Sequence, residues 1–266
     1  MVFNQKLEEI CQQKNSLVCV GLDPDLAKLP VGLDVLTFCQ QIIIATTPFV
    51  AAFKPNLAFF EALGEEGFRI LKEVVKAVPT GILTIADAKR ADIGNTASAY
   101  ARAIFDELGF DAVTLSPYMG HDSIEPFIRY QDKGSFILCR TSNSGAVDFQ
   151  QLKVESGKPL YQEVAAKASS WNKYQNIGLV IGATAPSELK EMRLLHPDLP
   201  FLIPGVGAQG GEVELTVKNA VNRKGMGFLI NSSRQIIYAS SQDDYAYAAA
   251  QAARELKERI NSSRGK

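Results

Sequence analysis

The stretch ILTIADAK (residues 82–89) is a short apolar run that ends in charged residues. A nearly continuous apolar run of this length is typical of a strand buried on both faces of a parallel sheet. Seven other runs share this form, and nearly all end in polar or glycine-rich residues: LVCVGLD (17–23), AAFKPN (51–56), AVTLSP (112–117), FILCRTS (136–142), IGLVIGAT (177–184), FLIPGVG (201–207) and GFLINSS (227–233). The sequence therefore predicts eight strands.

Segments with helical periodicity separate these runs, as in residues 65–77 and 96–108. Eight strands that alternate with helices predict an α/β fold, a parallel eight-stranded (β/α)8 TIM barrel, which commonly occupies about 250 residues. No linker or low-complexity block divides the chain, so residues 1–266 are expected to form a single TIM-barrel domain. A doubly wound open sheet is the alternative, although no GxGxxG fingerprint follows the first run.

Composition and charge exclude several classes of protein. Hydrophobic residues make up 46% of the chain and the net charge is −1, which gives no global attraction for nucleic acid or for an anionic membrane. The amino terminus lacks the apolar segment of a signal peptide, and no window approaches the roughly 18 apolar residues of a spanning helix. Four cysteines without a CxxC pair suit a reducing compartment. We expect a cytoplasmic protein that must bind any phosphate locally.

Charged residues end two consecutive predicted strands. Asp87 and Lys89 alternate at the end of the third run, so both side chains are expected to point into the barrel mouth. Lys54 ends the second run, beside the third if the strands lie in order, and Asp92 follows three residues after Lys89. The four residues predict an alternating set of two lysines and two aspartates.

The ordinary interpretation of any one of these residues is a surface salt bridge, worth under about 1 kcal/mol. Three charges at adjacent strand ends favour a functional site instead. Burying such charges costs several kcal/mol even when they are paired, so a reaction explains their presence better than stability does.

Two segments predict a phosphate site after the seventh and eighth runs, where this class of barrel commonly binds phosphate. PGVGAQGG (204–211) has four glycines in eight residues, which lets backbone N–H groups approach an anion. In NSSR (231–234), the guanidinium of Arg234 can donate two parallel hydrogen bonds to phosphate. The candidate residues are Pro204, Gly205, Gly207, Gln209, Ser233 and Arg234. The glycine-rich turn alone is a weak signal, because such turns usually only terminate strands.

Other strand ends carry weaker signals. Asp23 could accept hydrogen bonds from ribose hydroxyls or could form an Asx turn before Pro24. Thr141 and Ser142 could bind a base, or could serve only as turn residues. His121 and His196 lie far apart without a cluster of ligands, so neither a metal site nor a histidine base is expected, and His196 is expected to be solvated.

ADAKRADIGNTASAYA (86–101) closely resembles the DxKRxDIxxT signature of the orotidine 5′-phosphate decarboxylase family. FKPNLAFFE (53–61) resembles the matching lysine segment of the longer bacterial branch of that family. GLDPD, PGVGAQGG and NSSR extend the resemblance through most of the chain in the expected order. The combination is highly specific, although each short piece alone is not.

The resemblance implies a cofactor-free and metal-free decarboxylase of a pyrimidine nucleotide, active as a homodimer. Lys54, Asp87 and Lys89 would act with Asp92 of the other subunit, and Thr96 from that subunit would touch ribose. Asp23 would also bind ribose, Ser142 and Gln209 would hold the pyrimidine and the closing loop, and Arg234 would bind phosphate. Lys89 would protonate a carbanion at C6 of the base, opposite Asp87.

Two other functions stay open at this point. One is a magnesium-dependent sugar-phosphate barrel enzyme similar to 3-keto-hexulose-6-phosphate synthase, whose family shares a similar Asp-x-Lys strand. The other is a catalytically silent barrel that only binds a phosphate ligand. The KRxDI segment disfavours the first, and measured turnover would exclude the second.

Overall fold

Eight parallel strands form one closed ring in the computed structural model, which describes residues 1–206 and 212–264. The strands lie in chain order, and β8 pairs with β1 through Val18 and Ile230. Their bounds are β1 Val18–Leu22, β2 Ala52–Pro55, β3 Leu83–Arg90, β4 Ala112–Leu115, β5 Gly134–Arg140, β6 Ile177–Ile181, β7 Phe201–Pro204 and β8 Phe228–Ser232. The predicted (β/α)8 barrel is confirmed, and closure of the ring excludes the open sheet.

Helices cover the outside of the ring. In the described part of the chain they are α1 Phe3–Lys14, α2 Val35–Thr46, α3 Leu57–Glu61, α4 Gly64–Lys76, α5 Gly94–Arg102, α6 Glu125–Ile128, α7 Leu160–Trp171, α8 Pro186–Leu195, α9 Val213–Ala220, α10 Arg234–Ile237 and α11 Tyr245–Ser263. No helix within residues 1–206 and 212–264 is long and apolar enough to span a bilayer.

The burial of each element follows its sequence pattern. All five residues of β1 are buried, as a strand enclosed by both a barrel core and helices requires. In α4, one apolar stripe that contains Ile70, Leu71, Val74 and Val75 faces the barrel, and acidic residues occupy the first turn. The four cysteines, Cys11, Cys19, Cys39 and Cys139, are all buried free thiols.

The helix predicted over residues 96–108 begins earlier and has two parts. Helix α5 starts at Gly94, and a π-helical turn over Ala103–Glu107 follows it directly. The amide of Leu108 donates to the carbonyl of Ala103 at 3.0 Å, five residues back. Ile104 and Phe105 within this turn are both buried in the core.

Helix α1 closes the amino-terminal end of the barrel. The ring of Phe3 meets that of Phe136 edge-on, with centroids 6.1 Å apart, and the Lys6 ammonium lies 2.7 Å from a carboxylate oxygen of Asp111. Gly134 is required at this contact, because a Cβ there would lie 2.3 Å from the Phe3 ring. The opposite, carboxyl-terminal end is where the predicted site residues gather.

Candidate active site

A cleft opens at the carboxyl-terminal ends of the strands. Its larger part has a volume of about 450 Å³, with Lys54, Asp87 and Lys89 on its lining beside apolar side chains, Leu138, Val180 and Leu202. A smaller part of about 160 Å³ shares Lys54, Asp87 and Pro204 with the first. It is lined further by Asp23, Gly205, Val206, Asn231, Ser232, Ser233 and Arg234. The cleft therefore has a charged centre, an apolar end and a polar end.

Three of the predicted charges meet at this centre. The ammonium groups of Lys54 and Lys89 each lie 2.5 Å from Asp87, one on each carboxylate oxygen. The side chains of Lys54 and Asp87 are 5% and 13% exposed, whereas that of Lys89 is 51% exposed. Lys54 and Asp87 are therefore fixed inside the barrel, and Lys89 faces the cleft.

Asp87 and Lys54 keep their charges over a wide pH range. Burial alone would raise the pKa of Asp87, but the Lys54 and Lys89 ammonium groups outweigh it and hold that pKa well below its ordinary value. Burial would likewise lower the pKa of Lys54, but the carboxylates of Asp87 and Asp23 raise it instead. An ionised carboxylate thus stands between two cations in a largely dry site.

Asp87 and Lys89 converge, but not by the simple alternation that the sequence suggested. The pairing of β3 with β4 runs from Ala86 opposite Val113 directly to Arg90 opposite Leu115. Three residues of β3 therefore face one residue of β4, and Lys89 adopts a left-handed backbone with φ of 48°. A non-glycine residue in that region costs about 1–2 kcal/mol, so its surroundings must hold it there.

Thr114 of β4 supplies much of that support, and sequence reasoning did not single it out. Its hydroxyl oxygen accepts hydrogen bonds from the backbone N–H groups of Ala88 and Lys89, at 3.1 and 3.0 Å. The same hydroxyl lies 3.2 Å from a carboxylate oxygen of Asp87, to which it donates. A threonine in an apolar strand gives no signal of this role, because the role depends on the irregular pairing with β3.

Asp92 and Thr96 lie outside the charged group of their own chain. The Asp92 carboxylate accepts a hydrogen bond from the backbone N–H of Ile93 at 2.8 Å, and Thr96 is exposed on α5. No ion pair or hydrogen bond among residues 1–206 and 212–264 joins Asp92 to Lys54, Asp87 or Lys89. The structure of one chain thus brings together three of the four predicted charges.

Asp23 and Asn231 place buried acceptors in the polar part of the cleft. Oδ1 of each side chain is buried and has no hydrogen-bond partner in the described part of the chain. Asp23 therefore does not form the Asx turn through this oxygen, and its backbone carbonyl is held by the Tyr238 hydroxyl at 2.9 Å. Buried acceptors of this kind suit the hydroxyl groups of a ligand.

The predicted phosphate residues line the same part of the cleft. Pro204 ends β7, Gly205 follows it with a φ of 89° that glycine readily adopts, and Arg234 is exposed at the start of α10. Ser233 fits beside β1 because residue 21 is glycine, since a Cβ there would lie 1.9 Å from its hydroxyl oxygen. Gly207 and Gln209 lie outside the described residues.

Thr141 and Ser142 both line the apolar part of the cleft after β5. Thr141 exchanges two hydrogen bonds with the Gln150 side chain, both at 2.8 Å, and donates to Asn143 at 2.6 Å. Its hydroxyl therefore serves to fold the following segment, as the turn interpretation has it. Ser142 lines the apolar part of the cleft, as does Gln150, which the sequence did not indicate.

The histidines stand apart from the cleft. His121 is exposed beside Trp171, whereas His196, which directly follows α8, is half-buried rather than solvated. Burial, with a smaller effect of Arg193, lowers the pKa of His196. The described residues hold no group of three or more His, Cys, Asp or Glu side chains placed to bind a metal ion.

Comparisons with known proteins identify close relatives. The profile of the orotidine 5′-phosphate decarboxylase / HUMPS family matches residues 17–250. Orotidine 5′-phosphate decarboxylase of Dehalococcoides mccartyi is 56% identical, with 99% of both chains covered, and that of Herpetosiphon aurantiacus is 48% identical, with 93% of this chain and 94% of the relative covered. The solved structure of Leishmania donovani OMP decarboxylase has a TM-score of 0.87 and 43% identity, with 99% of both chains covered.

Proposed function

The chain belongs to the orotidine 5′-phosphate decarboxylase / HUMPS family, and from this premise we propose that it converts orotidine 5′-phosphate to uridine 5′-phosphate in pyrimidine biosynthesis. The single observation that carries this proposal is the Asp87 carboxylate held between the Lys54 and Lys89 ammonium groups, at 2.5 Å from each. The chemistry is that of a carboxy-lyase, and these side chains suffice for it without a metal or an organic cofactor.

The reaction follows from the placement of charge. With the substrate carboxylate beside Asp87, the bond from C6 to the carboxylate breaks, CO₂ leaves and the electron pair remains on C6. The Lys89 ammonium stabilises that negative charge and then transfers a proton from Nζ to C6, after which water reprotonates the amine. Lys54 fixes Asp87 during this step, because both side chains are almost fully buried.

The rest of the cleft accounts for the rest of the nucleotide. Arg234, Ser233 and the backbone N–H groups of Gly205, Gly207 and Gln209 would bind the phosphate, with Pro204 lining the site beside them, and Asp23 would accept from ribose hydroxyls. Ser142 and Gln209 would hold the pyrimidine beside the apolar side chains. Contacts with the phosphate, remote from the reacting carbon, supply binding energy that favours the transition state.

A homodimer would complete the site. Asp92 and Thr96 lie outside the charged group of their own chain, so we propose that each subunit provides them to its partner's cleft. Exposed apolar side chains in the segments after β3 and β4 support this arrangement, with Ile93, Tyr118 and Met119 exposed by 51%, 85% and 45%. We further propose that the chain is a single domain and acts in the cytoplasm.

The test of the reaction is the near-ultraviolet absorbance of orotidine 5′-phosphate with EDTA-treated protein, beside the Lys89→Ala variant. The wild-type protein is expected to produce uridine 5′-phosphate without metal, and K89A is expected to lose nearly all turnover while it remains folded. Loss of wild-type activity on EDTA treatment would instead favour the magnesium-dependent enzyme. Tight nucleotide binding without turnover would favour the silent barrel.

Mixing inactive variants tests the shared site. K89A and D92A subunits are each expected to be inactive, but a mixed dimer holds one site with both residues intact. Random exchange at equal amounts should restore about a quarter of wild-type activity. The control is the double variant K89A/D92A mixed with wild type, which leaves no complete site in the mixed dimer. No recovery from the two single variants would mean that Asp92 acts within its own subunit.

A further inference from the structure

The irregular pairing between β3 and β4 creates a local shortage of hydrogen-bond acceptors. Residues 87–89 of β3 lie opposite the single residue Thr114, and regular pairing resumes only where Ser116 N–H donates to the Arg90 carbonyl at 2.9 Å. The backbone N–H groups of Ala88 and Lys89 therefore have no facing carbonyl of β4. Both donate to the hydroxyl oxygen of Thr114 instead.

The Thr114 hydroxyl already makes all the hydrogen bonds that it can form. A threonine hydroxyl can accept two hydrogen bonds and donate one, and here it accepts from two backbone N–H groups and donates to Asp87. Its residue is only 2% exposed, so water does not compete for these positions. The single proton must point towards Asp87, because both lone pairs face N–H donors.

We propose that Thr114 is a positioning residue for the proton donor: its hydroxyl holds Lys89 in the left-handed backbone conformation and fixes the Asp87 carboxylate against which the Lys89 ammonium is aligned. This inference rests on the proposed decarboxylation. Thr114 acts through its neighbours and moves no proton itself. One side chain thus couples the backbone of the donor to the carboxylate beside it.

The geometry specifies a hydroxyl at this position rather than a branched side chain. Valine would fill nearly the same volume, but it would leave the N–H groups of Ala88 and Lys89 without their acceptor and would remove one of the two hydrogen bonds to Oδ1 of Asp87. Lys89 could then recover a hydrogen bond only by leaving the left-handed conformation, which would displace its ammonium. Serine keeps all three hydrogen bonds and loses only a methyl group.

Thr114→Val and Thr114→Ser form the test. We expect T114V to lower kcat by about 100-fold, the loss that misplacement of a reacting group by about 1 Å can cause, with KM changed much less. T114S should stay within about 3-fold of wild type. If T114V does not accumulate in folded form, T114C takes its place, because its thiol is only a weak hydrogen-bond partner.

Binding separates positioning from a merely structural role. Two ligands are compared by calorimetry: uridine 5′-phosphate, and an analogue that carries an oxyanion on C6 and so takes its extra affinity from Lys89. T114V should lose most of the preference for the anionic analogue while its affinity for uridine 5′-phosphate stays within about 3-fold. In a K89A background, T114V should cause little further loss, because the two changes remove the same interaction.

Thr84, in the neighbouring strand β3, provides a matched control. It is also buried, at 4% exposed, and its hydroxyl donates to Asp111 at 3.1 Å, at the amino-terminal end of the barrel. T84V should lower the melting temperature without changing kcat. Equal weakening of both ligands in T114V, unchanged kcat in T114V, or additive losses with K89A would each overturn the inference. An inactive wild-type protein would instead refute the proposed decarboxylation, which the assay of the unaltered chain reports separately.

Discussion

Asp87 carries its charge in a place that a lone carboxylate would avoid. The two lysines that contact it hold its pKa well below the ordinary value, although burial acts in the opposite direction. In the unfolded chain the same carboxyl has a pKa of about 3.9. Folding therefore favours the ionised form, and this contribution to stability is fully present above the unfolded pKa and is lost as the pH falls below it.

The Asp87→Asn variant tests this linkage. The difference in free energy of unfolding between wild type and D87N should be largest near neutral pH and should shrink as the pH falls below about 4. Urea unfolding of both proteins from pH 7 down to pH 3 measures it. A difference that stays constant with pH would show that the carboxylate contributes no more when it is ionised.

The same charged group also marks what sequence can predict about a site. Lys54, Asp87 and Lys89 were predicted to meet because they end neighbouring strands, and that depends only on strand order. Thr114 was not predictable, because its role arises from two extra residues in β3 that no pattern of apolar residues reveals. The position of Asp92 was implied by the family resemblance alone, since spacing along one chain cannot say which subunit a side chain serves.

At the scale of elements, the contact between α1 and β5 depends on the absence of a side chain. Gly134→Ala would place a methyl group 2.3 Å from the Phe3 ring, which is itself buried between the helix and the barrel. We expect overpacking to destabilise the protein by about 1–3 kcal/mol, measured by urea unfolding. Gly145→Ala is the control, because its nearest neighbour would lie at 3.4 Å, an ordinary contact. Equal stability of the two variants would mean that α1 shifts freely.

Sequence patterns predicted the strands of this barrel better than they predicted the helix after β3. All eight strands were predicted, with ends within three residues of those observed, because short apolar runs that end in polar or glycine-rich residues recur along the chain. The helix after β3 was not, since it begins at Gly94 and passes into a π-helical turn that the helical periodicity does not indicate. Sequence reasoning also missed Arg193. Its guanidinium lies over the Phe201 ring and donates hydrogen bonds to five backbone carbonyls, those of Ala220, His196, Pro197, Leu199 and Gly227. A buried arginine without a carboxylate has no signature in sequence.

At the scale of the whole molecule, the amino-terminal end of the barrel serves stability and the carboxyl-terminal end holds the cleft. Two arginines, one at each end, test this division. Arg193 joins loops at the amino-terminal end, so R193M should lower the melting temperature markedly and leave kcat/KM unchanged at temperatures where the protein is folded. Arg234 lines the cleft and is exposed, so R234Q should leave the melting temperature unchanged. Its kcat/KM should fall by about 10- to 150-fold. A loss of activity in R193M at low temperature would contradict the division.

The pairing of β8 with β1 has a consequence for how the chain is made. A growing chain that has not yet added β8 leaves β1 and β7 as open edges, which can pair with other chains. The last strand removes both edges at once, and the same strand brings Asn231 and Ser232 to the cleft. We therefore expect only the closed barrel to bind the nucleotide. The bound ligand should then stabilise the closed barrel relative to the aggregation-prone chains that lack β8.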